Sequence, residues 1–272
     1  MLERMKQGDE MLNSPSFVKD EARYNLLHTI NASEQSLCVK SPDGQLIFAG
    51  SPGHNGWLWL AEELAECERG QRLQEMVEFL AASLLPGITG DSQIVMDFAE
   101  RYTQRHHMTF HAQMVMAAYI CPQVVPPVRP GGEIRQAEDK DVSRVAAFLA
   151  GFVENAFDRM VDAASQIPAA ERMIGNGNLY LWMKGDEPVS MAQISHRSAR
   201  HGRINAVYTP AEFRKNGFAS MLVARLCTLL LGEGLLPLLY ADLSNPTSNK
   251  VYQNIGFQPC GQIAELKFSS RS

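Results

Sequence analysis

Apolar residues spaced three and four apart at Val142, Val145, Phe148, Leu149 and Phe152 line one face of a helix. The acidic run Glu138-Asp139-Lys140-Asp141 sits just before them, where a helix N-terminus favours negative charge. Residues 133–137 ahead of it read as a short strand. Beyond Gly175-Asn176-Gly177-Asn178, residues 179–183 form a strand, Lys184-Gly185-Asp186-Glu187 a hairpin turn, and residues 189–194 the returning strand. A third strand covers residues 204–208. A helix follows over residues 218–233, with apolar positions at 218, 221, 222, 226, 229 and 230. Residues 235–243 are almost wholly apolar, as in a strand buried on both faces. A last helix over residues 247–254 stops at Gly256, which is placed to take a left-handed conformation.

From Glu133 the order is therefore β, helices, β, β, β, α, β, α, β. That is an α+β domain with a mixed central sheet flanked by helices and a helix-linked parallel pair at its centre. The connector is Cys121-Pro122-Gln123-Val124-Val125-Pro126-Pro127-Val128-Arg129-Pro130-Gly131-Gly132, whose four prolines and two glycines remove helix propensity and backbone donors together. It sets the expected boundary between domains 1–128 and 129–272. In the first domain helices are expected at residues 58–64, 73–84 and 92–102. A strand pair is expected at 36–39 and 45–49 around Pro42-Asp43-Gly44, again a smaller α/β arrangement.

Composition narrows the function classes. The 272 residues carry 25 Lys and Arg against 30 Asp and Glu, a formal charge of −5, and the 45% hydrophobic share is globular. An acidic balance weakens nucleic-acid binding, and the densest basic patch, residues 197–203, is short. Five scattered cysteines with no CxxC spacing indicate neither a disulfide framework nor zinc, and fit a reducing compartment. The charged N-terminal residues lack a signal-peptide core, and no apolar stretch reaches the roughly 18 residues of a membrane span. A cytoplasmic protein without membrane or metal partners is expected. His107 and His111 stand four apart, but no HExxH pattern completes a site.

The chemistry concentrates in Val207-Tyr208-Thr209-Pro210-Ala211-Glu212-Phe213-Arg214-Lys215-Asn216-Gly217-Phe218-Ala219-Ser220. A strand ends, and a loop containing Gly217 opens into a helix whose first N–H groups are unpaired at its positive end, which suits phosphate. A pyrophosphate approaching this closely leaves no room for a Cβ at Gly217, and Arg214 adds charge. The second element is Asn245-Pro246-Thr247-Ser248-Asn249-Lys250-Val251-Tyr252-Gln253-Asn254-Ile255-Gly256-Phe257, following the apolar strand.

Together these segments resemble the GNAT superfamily of acyl-CoA-dependent N-acyltransferases. Arg214 to Ala219 matches the Q/R-x-x-G-x-G/A pyrophosphate loop, and Asn245 to Phe257 matches N-x-x-A-x-x-x-Y-x-x-x-G-F with Ser248 where Ala is usual. The resemblance covers about residues 132–268. Less specifically, Leu85-Pro86-Gly87-Ile88-Thr89-Gly90, Phe98-Ala99-Glu100-Arg101 and the connector look like a subgroup with a degenerate N-terminal GNAT-like domain. No pyrophosphate loop is readable before residue 120.

The resemblance implies direct acetyl transfer from acetyl-CoA to a primary amine through a tetrahedral intermediate. Backbone donors near Val207 and Tyr208 would polarise the thioester carbonyl, and Tyr252 would protonate the departing thiolate, unless it is a packing tyrosine. Asn245 would bond the pantetheine arm or cap the helix. Asn249 would reach the cofactor or stand in solvent. Glu154 is the candidate general base against the alternative of a solvated helix carboxylate, with His196 and His201 behind it. Neither a serine nor a cysteine nucleophile motif is present, which argues against an acyl-enzyme. The acceptor, a small-molecule or peptide amine, is left open, and a homodimer is compatible with the reading. A second class stays open beside the enzyme, an acyl-CoA-binding regulatory or scaffold module without turnover.

Overall fold

Two units make up the computed structural model, which describes residues 2–128, 130–157 and 159–271. The first comprises the chain up to Ala118, Ala241–Asn245 and the chain from Cys260; the second comprises Tyr119–Tyr240 and Pro246–Pro259. The connector predicted from composition lies inside the second unit, and the chain's end lies in the first.

The first unit contains β1 (Glu3–Arg4), α1 (Pro15–Asp20), α2 (Leu26–Asn31), β2 (Leu37–Lys40), β3 (Leu46–Gly50), β4 (Gly56–Leu60), α3 (Glu66–Phe79), β5 (Gly87–Gly90), α4 (Ser92–His106) and most of β6 (Met108–Ile120). Strands β1 to β4 run antiparallel in sequence order, and β5 joins β4 in parallel. The strand pair around Pro42-Asp43-Gly44 forms as expected. The helix expected at residues 58–64 does not: Gly56, Trp57, Leu58, Trp59 and Leu60 are all buried in β4 between β3 and β5. A short run that is apolar on every side has no polar stripe to turn outward, so the sheet interior claims it. Strands β5 and β6 are additions for the same kind of reason, being short or lacking clean alternation. His111 lies in β6 and His107 is the left-handed cap of α4 (φ 54°), so the two histidines share no helix face.

The second unit contains β7 (Glu133–Gln136), α5 (Val142–Phe157), α6 (Ile167–Gly175), β8 (Leu179–Lys184), β9 (Glu187–Arg197), β10 (His201–Tyr208), α7 (Phe218–Gly232), most of β11 (Leu236–Asp242) and α8 (Pro246–Ile255). Its strands lie in the order β11-β10-β9-β8-β7, with β10 and β11 parallel and the rest antiparallel. On one face Val145, Phe148 and Leu149 of α5 and Ala170 and Ile174 of α6 pack with Leu179, Leu181 and Met191 of the sheet. These are the helix positions the 3.6-residue period selects. Asp141 anchors the start of α5: its carboxylate accepts the Glu138 backbone N–H at 2.8 Å and both terminal nitrogens of Arg135 at 2.8 and 2.9 Å. On the other face a Cβ at Gly202 would stand 2.3 Å from a Leu230 methyl, so α7 lies directly against β10. The final strand, β12 (Gln258–Ser270), pairs antiparallel with β5, Ala264 opposite Gly90 through Lys267 opposite Gly87.

Candidate functional site at the divergence of two parallel strands

The parallel pairing of β10 with β11 runs from His201 opposite Leu236 only to Arg203 opposite Leu238. Beyond that point β10 continues to Tyr208 with its ladder to β11 ended. Its pairing with β9 is also irregular, because Asn205 faces Gln193 while Tyr208 faces Met191, three residues spanning what two span on the partner. The extra residue forms a bulge, and Ala206 within it takes φ 48°. A bulge withdraws backbone groups from the ladder and re-aims them, so the Ala206–Val207 amides lie where neither neighbour strand continues regular pairing. The strand end is fixed by its neighbours: Ser190 donates to the Tyr208 carbonyl at 3.0 Å and is 2.9 Å from the Thr209 hydroxyl. The Tyr208 ring leans on Phe148 of α5, centroids 5.8 Å apart.

From Thr209 the chain enters a tight loop. Arg214 Nε donates to the Thr209 carbonyl at 3.0 Å, and its terminal nitrogen donates to Asn155 Oδ1 on α5, also at 3.0 Å. Asn216 Nδ2 donates to the carbonyls of Phe213 and Arg214, each at 3.1 Å. These bonds turn the loop's own carbonyls away and leave the amide side to face outward. Lys215 (φ 64°) and Gly217 (φ 81°) are both left-handed, and alternation of this kind curls successive N–H groups into an anion-binding nest. Gly217 is the N-cap of α7, and the first intrahelical bond there is Met221 N–H to the Gly217 carbonyl at 3.0 Å. The amides of Phe218, Ala219 and Ser220 have no carbonyl one turn earlier to pair with. A Cβ at Gly217 would meet nothing closer than the Val128 carbonyl at 3.8 Å, so backbone angle rather than crowding requires glycine. The donor set fits the pyrophosphate of an acyl-CoA: convergent amides, a helix N-terminus and two cationic side chains.

Helix α8 holds the third group of residues. Tyr252 is half-buried, its ring 5.8 Å from Phe257 in a T-shaped contact. Among the described residues its hydroxyl has no hydrogen-bond partner, and desolvation pushes its pKa up to about 12. Gly256 (φ 109°) ends the helix where the connector crosses it: a Cβ there would stand 2.2 Å from the Gln123 carbonyl, and Val125 N–H donates to the Ile255 carbonyl at 2.7 Å. Asn249 is buried, and its Oδ1 accepts the Tyr119 hydroxyl at 2.9 Å. Asn245 is exposed directly before α8, with Pro246 as the helix's first residue.

The structure thus gathers Val207, Tyr208, Thr209 and Arg214 to Ser220 into one strand end, loop and helix start. Glu154 is exposed on α5, next to Asn155, and makes no ion pair among the described residues. His201 is buried and His196 half-buried, both on the paired part of the sheet rather than at the loop. Sequence reading missed Asn155 and Tyr119, whose partners Arg214 and Asn249 are 59 and 130 residues away. No local pattern announces contacts of that range.

Comparison with known proteins bears on the fold. The model of the family described as FR47-like protein matches residues 182–264. No curated protein sequence matches the chain. Among solved structures, a GNAT-family acetyltransferase from Colwellia psychrerythraea is similar at TM-score 0.60 and 9% identity, over 99% of this chain and 100% of that one. A GCN5-related N-acetyltransferase from Sphaerobacter thermophilus is similar at TM-score 0.62 and 14% identity, over 99% and 95%. One from Kribbella flavida is similar at TM-score 0.61 and 15% identity, over 95% and 98%. The FR47-like match covers the strands and helices that carry the loop, and the chain shares the fold of these GNAT acetyltransferase structures.

Proposed function

We propose that the protein is an acetyl-CoA-dependent N-acetyltransferase acting on a primary amine. The observation that carries this is the end of β10–β11 pairing at Arg203, followed on the same strand by the Ala206 bulge and the left-handed turn into α7. Amides of Lys215 to Ser220 hold the pyrophosphate, with Arg214 and Lys215 supplying charge. The freed amides around Val207 and Tyr208 hold the thioester oxygen, where negative charge grows as the amine nitrogen bonds to the acetyl carbon. Tyr252 gives its proton to sulfur as the C–S bond breaks. A phenol held near 12 is fully protonated at neutral pH, as an acid must be.

The ammonium of a lysine-like acceptor has a pKa of about 10.4, so one proton must leave before attack. Glu154, exposed on the helix that carries Asn155, is the proposed acceptor of that proton through water. Asn245 is proposed to bond the pantetheine arm or cap the helix, and Asn249 is bonded to Tyr119. The first domain is proposed to be a degenerate copy of the fold without its own cofactor. Isothermal titration with acetyl-CoA, followed by thiol release with a panel of amines, tests the reading. Micromolar binding and amine-dependent release are expected, and Gly217→Glu should abolish both. Binding without release from any amine would favour a non-catalytic acyl-CoA-binding module, and no binding would remove the proposed cofactor site.

A further inference from the structure

Helix α5 carries a glycine where a helix least favours one. Gly151 lies in the interior of Val142–Phe157, where glycine ranks below every residue except proline. Packing supplies the reason. A Cβ at this position would stand 2.1 Å from the Tyr208 hydroxyl oxygen and 2.6 Å from the ring carbon that bears it, so the tip of the phenol occupies the space an alanine would need. Phe148, three residues earlier on the same face of α5, touches that ring as well. Asn155, four residues later, donates to the Gly151 carbonyl at 2.6 Å and accepts from Arg214 at 3.0 Å.

One face of α5 therefore holds the end of β10 through Tyr208 and the loop through Arg214. Tyr208 stands two residues beyond the Ala206 bulge, and its carbonyl is tied to Ser190 on the neighbouring strand. A bulge takes backbone groups out of the ladder that would otherwise fix them. Here a side chain seated in a notch on the helix takes over that task. Among the described residues the Tyr208 hydroxyl has no hydrogen-bond partner, so the fit is one of shape. An added methyl at residue 151 would push the ring out of the notch and off Phe148, and the strand end would move with it.

We infer that Gly151 is a positioning residue for acetyl transfer: it seats the Tyr208 ring against α5 and so keeps the amides around Val207 and Tyr208 aimed at the thioester oxygen. This rests on the acetyltransferase reading above and concerns the geometry of that same site. The test measures thiol release with the fastest amine of the panel, isothermal titration with acetyl-CoA, and thermal melts. Gly151→Ala should lower kcat about ten- to a hundredfold, the scale of a misplacement of about 1 Å at a reacting centre, while the acetyl-CoA dissociation constant stays within about threefold of wild type. Adding Tyr208→Phe, which trims the overlapping oxygen, should recover about threefold or more of the lost kcat. Tyr208→Val removes the ring and should lose kcat as Gly151→Ala does, and it serves if Gly151→Ala does not fold. In that background Gly151→Ala should cost no more than about a further twofold, because its methyl then meets open space. A wild-type kcat in Gly151→Ala, a lower melting temperature with kcat intact, or a loss confined to acetyl-CoA affinity would overturn the inference and leave the acetyltransferase standing. So would a loss that Tyr208→Phe does not relieve. A wild type that releases thiol with no amine strikes the acetyltransferase reading itself, and the inference falls with it.

Discussion

At Tyr252 burial and chemistry pull in one direction only. Removing water from around a phenol disfavours its anion, so its pKa rises, to about 12. An acid with that value is intact across the range in which enzymes are assayed. The rate should therefore climb with pH as the acceptor amine loses its proton, with no fall attributable to Tyr252 below about pH 11. A pH profile of kcat/KM from 6 to 10 checks this, and a bell closing near pH 8 would assign the acid elsewhere. Tyr252→Phe should lower kcat about a hundredfold or more, the usual span of general acid catalysis, while the acetyl-CoA dissociation constant stays within twofold. The sequence singles the residue out because a fixed spacing joins it to Gly256 and Phe257, and its role as acid is what these two experiments test. The partner of Arg214 was not legible there, because Asn155 stands 59 residues away and no local pattern joins the two.

At the scale of the element, α5 depends on the residues just before it. Asp141 has its carboxyl held well below the usual range, first by hydrogen bonds from Arg135, with the Glu138 amide adding to them against the cost of burial. A depressed folded value means the stabilisation is complete above the unfolded carboxylate range near 3.9 and fades as pH falls through the lower folded value. Asp141→Asn should therefore cost about 1–3 kcal/mol at pH 7, by loss of a cap and of charge-assisted bonds to Arg135. Thermal melts at pH 7 and pH 3 check it: the difference between wild type and variant should be large at the first and small at the second. The helix and its acidic start were readable because local periodicity and the N-terminal preference for negative charge agree. β4 was misread because five buried apolar residues carry no period, and only the flanking strands decide between helix and sheet. The bulge at Ala206 was invisible for a related reason, since it is defined by register against β9 and not by any residue's own preference.

Across the whole chain, strand order rather than sequence order decides what can stand alone. β12 supplies Ala264, Leu266 and Phe268 to a core otherwise built from residues before 120. Its backbone pairs with β5, and Asn55 is bonded to Glu265 and Lys267 at 3.0 and 2.7 Å. A fragment of residues 1–128 therefore lacks a buried strand and exposes the β5 edge. It should be insoluble or lack a cooperative melt, whereas the same fragment fused to residues 258–271 through a flexible linker should regain one. Circular dichroism melts of the two fragments decide the matter. The connector's prolines suggest a boundary near residue 128, yet the connector lies inside the second unit, and nothing in the sequence marks the tail as part of the first, because pairing partners nearly 180 residues apart leave no local mark.

That placement also sets a timetable for synthesis. The opening half leaves the ribosome well before its last strand has been translated, and at roughly 5–20 residues per second the wait is on the order of ten seconds. During that interval the growing chain carries an unfinished layer, so nascent-chain chaperones have a defined window in which to act, and a ribosome that stops within β12 releases a protein damaged at its beginning.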